Sequence, residues 1–285
     1  MAEQPGDPGL YATDLDADRS GAETMSETTP TTRLQHDRQR GIYLLALRNG
    51  SVEVAELARR FGVTTETIRR DLSELQTAGQ LRRVHGGAVP VERVNHEPLV
   101  REREILNSEE KRRIASAALD EVPEAGTALI DSGSTLQQLA DVFPTDRNVH
   151  VITNSLRSGT ALAQRGLQPL TVLGGGVNAN TMAMVDSYTV EMVRELSVDV
   201  LFISCDGLSF RRGLTTPYRT ESMVKRAMIE AATRVVALLD HSKLGNGQLF
   251  TYAAFEDIDV LITDDGADDD AIASLRSHDF DVLVV

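Results

Sequence analysis

Apolar positions along the chain follow two different spacings. Before residue 80 they recur as helices require: Ile42, Leu45 and Ala46 at i, i+3, i+4; Val54, Leu57, Ala58 and Phe61 at i, i+3, i+4, i+7; Ile68, Leu72 and Leu75 at i, i+4, i+7. The spacing predicts three short helices. Asn49-Gly50 ends the first, Gly62-Val63 makes a tight turn after the second, and Thr64 offers a hydroxyl that can cap the third. Residues 79–88 follow, with glycines at both ends of a stretch that holds Arg82, Arg83 and His85, which suits a short basic hairpin. Short helices around a glycine turn, then such a hairpin, describe a helix-turn-helix with a wing.

From Lys111 the texture changes to short apolar runs, at residues 127–130, 149–152, 170–173, 198–203, 235–239, 260–262 and 282–285. Helical patterns such as Leu136, Leu139, Ala140 and Phe143 lie between most of them. This alternation predicts a mostly parallel sheet covered by helices on both faces. The expected division is an acidic, disordered tail over 1–33, a winged helix-turn-helix over 34–90, a linker over 91–110 and an α/β domain over 111–285. The tail holds seven acids and almost no apolar periodicity. The linker is dense in mixed charge, with Pro90 at its edge and Pro98 inside it.

Composition narrows the choice of class. No apolar run is long enough to span a bilayer, and the acidic, polar N-terminus fits neither a secretory signal nor a transit peptide. The one cysteine, Cys205, excludes an intrachain disulfide framework and a multi-cysteine metal site, so a cytoplasmic protein is expected. A net charge of −14 is unusual for a nucleic-acid partner, but residues 36–90 hold nine arginines against six acids, +3, leaving −17 elsewhere. An acidic body with a basic head would orient itself on DNA.

Two groups of residues carry candidate chemistry. In the head, Arg69 and Arg70 lie off the apolar stripe of the third helix, where guanidinium forks suit guanine edges and phosphates alike. Thr65 and Thr67 at its start, and Arg82, Arg83 and His85 on the wing, are further candidates for DNA contact. Asp71 beside Arg70 could more plainly form an ion pair between helix and wing. In the second part, polar turns follow the expected strands: Asp131, Ser132, Gly133, Ser134 and Thr135; Asn154 and Ser155; Gly175 within a glycine triplet; Asp206 and Gly207; and Lys243. Glu221 and Lys225 stand four apart on a helix, which also describes a solvated surface pair. Ligands of parallel sheets bind at carboxyl strand ends, and a small hydroxyl-bearing turn at a helix start presents N–H groups to a phosphate. Convergence of these turns on one rim would point to a polar anionic ligand.

Val52 to Ala58, Phe61-Gly62-Val63, Thr67 to Leu72, Leu75, Gly79-Gln80-Leu81 and His85 to Ala88 resemble the winged-helix domain of DeoR-type transcriptional regulators. Asp131 to Thr135, Thr153-Asn154-Ser155, Leu173-Gly174-Gly175, Asp206-Gly207, Gly213 to Thr216, Lys225, Asp240, Ser242-Lys243 and Ile262-Thr263-Asp264 are similar to the sensor domain of the same regulators, itself related to sugar-phosphate isomerases. The resemblance implies a homodimer or homotetramer that binds a double-stranded DNA operator and is released from it by a phosphorylated sugar, with no cofactor, metal or membrane partner. The surroundings of Thr216-Pro217 and Asp240 to Gly245 are similar to regulators of fructose and sugar-uptake genes, which implies a phosphohexose. Asp186 departs from the family, which commonly has glycine there; on the rim, its charge would alter the ligand tolerated. The rival reading is a sugar-phosphate isomerase with an appended DNA-binding head. Such isomerases carry acids directly after the strand-end Asp-Gly, whereas Asp206-Gly207 is followed by Leu208, Ser209, Phe210, Arg211 and Arg212. The acidic run at 264–270 reads instead as a helix start. The same features would also suit an activator, or a sugar-phosphate-binding adaptor that never reads DNA.

Overall fold

The computed structural model describes residues 35, 38–43, 45, 46, 50–90, 103 and 105–285. The expected acidic tail, the Asn49 half of the first helix stop and most of the linker lie outside the described residues. The chain divides into two compact units, Met1–Pro90 and Val91–Val285.

In the first unit residues 38–43 are helical, and the chain continues through β1 (Val52–Glu53), α1 (Val54–Phe61), α2 (Thr65–Thr77), β2 (Leu81–Val84) and β3 (Gly87–Pro90). The apolar stripes meet as expected: Ile42, Tyr43, Leu57, Ile68, Leu72, Leu75, Leu81 and Ala88 are buried in one cluster. Gly62 ends α1 at φ 64°, a left-handed conformation that glycine adopts without strain, and Thr64 caps α2 by accepting from the Thr67 N–H at 3.2 Å. The wing is three-stranded, in the order β1-β3-β2, because β1 pairs antiparallel with β3. That short strand was missed, because two residues cannot display a period. Gly87 must be glycine, since a Cβ there would lie 1.9 Å from the Val52 carbonyl oxygen.

Asp71 corrects an expectation. It faces inward at 1% exposure and pairs with Arg38, whose Nε and Nη2 donate at 2.6 and 3.2 Å, while Gln39 donates at 3.1 Å. Arg70 pairs with Glu74 instead, at 3.2 Å. Positions 70 and 71 differ by about 100° around the helix, so adjacent residues cannot share a face. Asp71 therefore joins the first helix to α2 and leaves Arg70 outward.

The second unit contains a seven-stranded sheet whose neighbouring strands are all parallel, in the order β15-β14-β12-β9-β4-β5-β6. Its strands are β4 (Ala125–Ile130), β5 (Asn148–Thr153), β6 (Leu170–Val172), β9 (Val198–Ile203), β12 (Ala232–Leu238), β14 (Val260–Thr263) and β15 (Asp281–Val284). All seven correspond to the expected runs. Alternate residues of one strand enter different cores: Leu129, Leu201, Ile203 and Ala237 face one cluster, and Ala128, Ile130, Phe202 and Val236 the other. Burial on both faces explains why these strands read as continuous apolar runs. Helices α3 (Ser108–Ala117), α4 (Ser134–Val142) and α5 (Leu156–Gln164) cover one face. Helices α6 (Ser187–Arg194), α7 (Arg219–Glu230) and α8 (Asp269–Arg276) cover the other.

Five short strands escaped the sequence reading. β7 (Val177–Asn178) and β8 (Ala183–Met184) form a hairpin, and β10 (Gly207–Ser209), β11 (Gly213–Thr216) and β13 (Phe250–Ala253) form an antiparallel sheet. The stretches read as polar turns after β9 are partly strands; glycines at their starts hid them. From β4 the chain runs outward to β5 and β6, then returns to β9 on the other side of β4. The crevice at the carboxyl ends of β4 and β9 is therefore a topological switch point.

Asp71→Ala leaves the Arg38 guanidinium without its buried counter-ion, and removing one partner of a buried pair costs about 3 kcal/mol. Urea unfolding followed by hydrogen exchange should show that loss in residues 50–90 and little change in the second unit.

Candidate functional site

At that switch point lies an open-mouthed cavity, lined by Ser132, Gly133, Ser134 and Thr135 on one side and by Arg103, Thr181, Ser204, Cys205, Asp206, Glu221, Lys225 and Lys243 around it. Gly133, at φ 146°, turns the chain from β4 into α4, and no side chain caps the helix. The first-turn N–H groups of α4 therefore keep their donors and their dipole for a ligand. The buried Thr181 hydroxyl also has no hydrogen-bond partner, although it lines the same cavity. A buried hydroxyl is seldom left unsatisfied.

Beneath the cavity the Lys225 ammonium is buried against the Asp131 carboxylate, donates to the Ser204 carbonyl at 3.0 Å and stands 5.5 Å from the centre of the Tyr252 ring. Burial works against the ammonium, but Asp131, Glu221 and Asp206 outweigh it and hold its pKa above the ordinary lysine value. Glu221 behaves oppositely: burial, with Asp206 adding to it, pushes its carboxyl above the ordinary range. It accepts from Thr216 Oγ1 at 3.1 Å and from Asn178 Nδ2 at 3.2 Å. Glu221 and Lys225 are thus not a solvated helix pair; both point inward and each has other partners. Arg103 reaches Asp206 with its Nη1 at 2.9 Å. Cys205 is buried and its thiol is pushed up to about 12, chiefly by burial, so it is no nucleophile at neutral pH.

Of the residues singled out in the sequence, Ser132, Gly133, Ser134, Thr135, Asp206, Glu221, Lys225 and Lys243 meet in this cavity, with Asp131 below it. Four do not line it. Asn154 is buried and donates to the Met184 carbonyl at 3.3 Å; Ser155 caps α5, accepting from Ser158 N–H at 3.2 Å. Gly207 sits in β10, where a Cβ would meet the Asn246 carbonyl oxygen at 1.7 Å. Gly175 packs at φ 133° where a Cβ would meet the Thr189 hydroxyl at 2.2 Å. Asp186 is not among the lining residues either; it caps α6 and ties the glycine loop to it, accepting from Thr189 N–H at 2.9 Å and Gly176 N–H at 2.6 Å. Those backbone hydrogen bonds hold its carboxyl below the usual range.

The sequence reading missed Arg103, Thr181, Ser204 and Lys111. Ser204 adjoins Asp206 at a strand end and was within reach of that argument; Arg103 sits in a mixed-charge stretch that gives no signal. Lys111, on α3, is 3% exposed; its ammonium donates to the carbonyls of Arg103, at 2.7 Å, and Leu106, and lies 3.6 Å from Asp240. The acidic run at 264–270 divides three ways: Asp264 holds His241 Nδ1 at 2.6 Å, Asp265 pairs with Arg113 at 2.7 Å, and Asp268 caps α8. The helix start is its last part.

The first unit presents a basic face. Arg69 and Arg70 are exposed on α2 and make surface pairs with Glu66 and Glu74, each at 3.2 Å. Arg83 reaches back from β2 to Ser73 Oγ at 3.1 Å, so wing and helix share a contact. Arg82, His85 and Thr65 are exposed, whereas the Thr67 hydroxyl is 2.9 Å from that of Thr64 and belongs to the cap.

A winged helix with a basic recognition face, on one chain with a doubly wound domain, is the build of a DNA-binding regulator. Comparison with known proteins agrees along most of the chain. Residues 38–94 match the DeoR-like helix-turn-helix domain and residues 106–265 match the DeoR C-terminal sensor domain. The HTH-type transcriptional regulator GlpR of Haloferax volcanii is 34% identical over 244 residues, covering 86% of this chain and 95% of its own. The transcriptional repressor AccR of Agrobacterium fabrum is 33% identical, covering 81% and 90%, and the glycerol-3-phosphate regulon repressor of Escherichia coli K12 is 29% identical, covering 81% and 91%. This chain belongs to the DeoR family of transcriptional regulators. It is a DNA-binding regulator rather than an isomerase: the relatives just named are all regulators or repressors of transcription. Ribose 5-phosphate isomerase A from Neisseria gonorrhoeae overlaps 47% of this chain and 52% of its own at 19% identity, with a TM-score of 0.35, too loose a match to carry an argument. Among the described residues no helix is long and apolar enough to cross a membrane.

Burial pulls the Lys111 ammonium down to about 8 against an ordinary 10.5, with Asp240 opposing. Between those values the unfolded chain carries this proton and the folded chain does not, so the contribution of Lys111 to stability rises with pH across that window. The urea-unfolding free energy of the wild type minus that of Lys111→Met should therefore increase from pH about 8 to about 10. A difference independent of pH would contradict this.

Proposed function

We propose that the protein is a repressor of sugar-metabolism genes that leaves its operator when a phosphorylated sugar enters the cavity at the switch point. What supports this reading is one convergence: the uncapped start of α4, the unpartnered Thr181 hydroxyl and the cationic groups of Arg103, Lys225 and Lys243 all front the same space. The phosphate lies on the α4 N–H groups of Ser134 and Thr135 with Lys243 beside it, and the sugar hydroxyls face Asp206 and Glu221. Lys225, already held by Asp131, supplies field rather than a direct contact. In the head, Arg69 and Arg70 meet the major groove, Thr65 the first contacted bases or phosphates, and Arg82, Arg83 and His85 the backbone beside the groove. Thr67 serves the cap. One winged helix reads few bases, so the heads of a homodimer or homotetramer occupy paired half-sites. A relative named as the glycerol-3-phosphate regulon repressor agrees with a phosphorylated effector.

The two faces are separable by mutation. Arg70→Ala should weaken binding to the chain's own upstream DNA by about 1–3 kcal/mol while thermal stabilisation by sugar phosphates persists. Lys243→Ala should give the reverse pattern. Gel shifts at low salt and a thermal-shift panel of hexose and pentose phosphates measure both. No shift with wild-type protein at low salt, where phosphate contacts are strongest, would end the operator reading.

A further inference from the structure

Arg103 differs from every other residue around the cavity in where it comes from. The rest are carried by the sheet, the α4 turn, α7 or the loops of the sensor domain. Arg103 stands five residues before α3, in the stretch that connects in sequence to the DNA-binding unit. Its side chain is 14% exposed and its Nη1 donates to Asp206 Oδ1 at 2.9 Å, at the end of β9. Its carbonyl accepts from Lys111 at 2.7 Å. Four residues on, Asn107 takes a left-handed turn at φ 51° and donates to Asp240 Oδ1 at 2.9 Å, beyond the end of β12. Charged groups at two strand ends thus fasten this stretch of the connector to the rim of the cavity.

Two of the three Lys225 N–H donors go to the buried Asp131 and the Ser204 carbonyl, whereas Arg103 donates to Asp206, a carboxylate that itself faces the cavity. Asp206 and Glu221 line the space together, and two carboxylates oppose an incoming anion. A phosphate offers a guanidinium a planar, two-point partner. We propose that Arg103 is the ligand contact supplied by the connector itself, and that an entering phosphate group draws it from Asp206, so that filling the cavity moves the segment leading to the DNA-binding unit. This rests on the reading of the cavity as an anion site.

The test uses the full-length protein with inorganic phosphate as the probe, which has no sugar hydroxyls for Asp206 to accept. Calorimetric titration should show phosphate binding weakened about tenfold or more in Arg103→Gln, the loss of one charge-assisted contact. Asp206→Asn should tighten binding severalfold, an effect that misfolding cannot produce. Hydrogen exchange over residues 91–107 should change on phosphate addition in the wild type and not in Arg103→Gln. If the wild type binds phosphate and both variants bind it equally well, the role of Arg103 is overturned and the anion site stands. If the wild type binds no phosphate, both fall.

Discussion

The sensor domain depends on one buried charge pair. Lys225 comes from α7, Asp131 from the end of β4 and the Ser204 carbonyl from the end of β9, so one ammonium bridges the two strands on either side of the switch point. Tyr252, from the small antiparallel sheet, donates to that same carbonyl at 2.8 Å. A buried ion pair of this kind adds little to stability, because desolvation offsets attraction. Its effect is geometric: it ties together the ends of β4 and β9, and it keeps a positive charge beneath the cavity.

Charge around the cavity is balanced: Arg103, Lys225 and Lys243 face Asp131, Asp206 and Glu221. Such a set does not hold an anion simply by excess charge. On the role proposed for Arg103, an entering anion would exchange partners with Asp206, and the exchange would displace the segment that carries the guanidinium. A site that must rearrange to bind is suited to sensing, where a permanently electropositive one would bind without consequence. The same balance makes the first unit stand out, since among the described residues its α2 arginines and Arg83 of the wing pair at the surface, with Glu66, Glu74 and Ser73.

Sequence legibility followed burial and chain distance. The seven parallel strands were visible because burial on both faces makes them continuous apolar runs. The three helices of the head were visible because each buries one stripe. β1, β7, β8, β10, β11 and β13 were not, since runs of two to four residues show no period. At the cavity, the α4 turn and Lys225 were found from local motifs. Asn154, Ser155 and Gly175 obeyed the same local rule, yet they serve a carbonyl, a helix cap and a tight packing contact.

By itself the sequence determined the class of both units, the basic face of the head and the acidic balance of the remainder, because spacing and composition are properties of neighbours in the chain. Tertiary structure decided the partners. Asp71 went to Arg38 rather than Arg70, Lys225 to Asp131 rather than Glu221, and Arg103 to Asp206 across 103 positions. A charge is satisfied by whatever lies within about 4 Å in space, and only the folded chain says which residue that is.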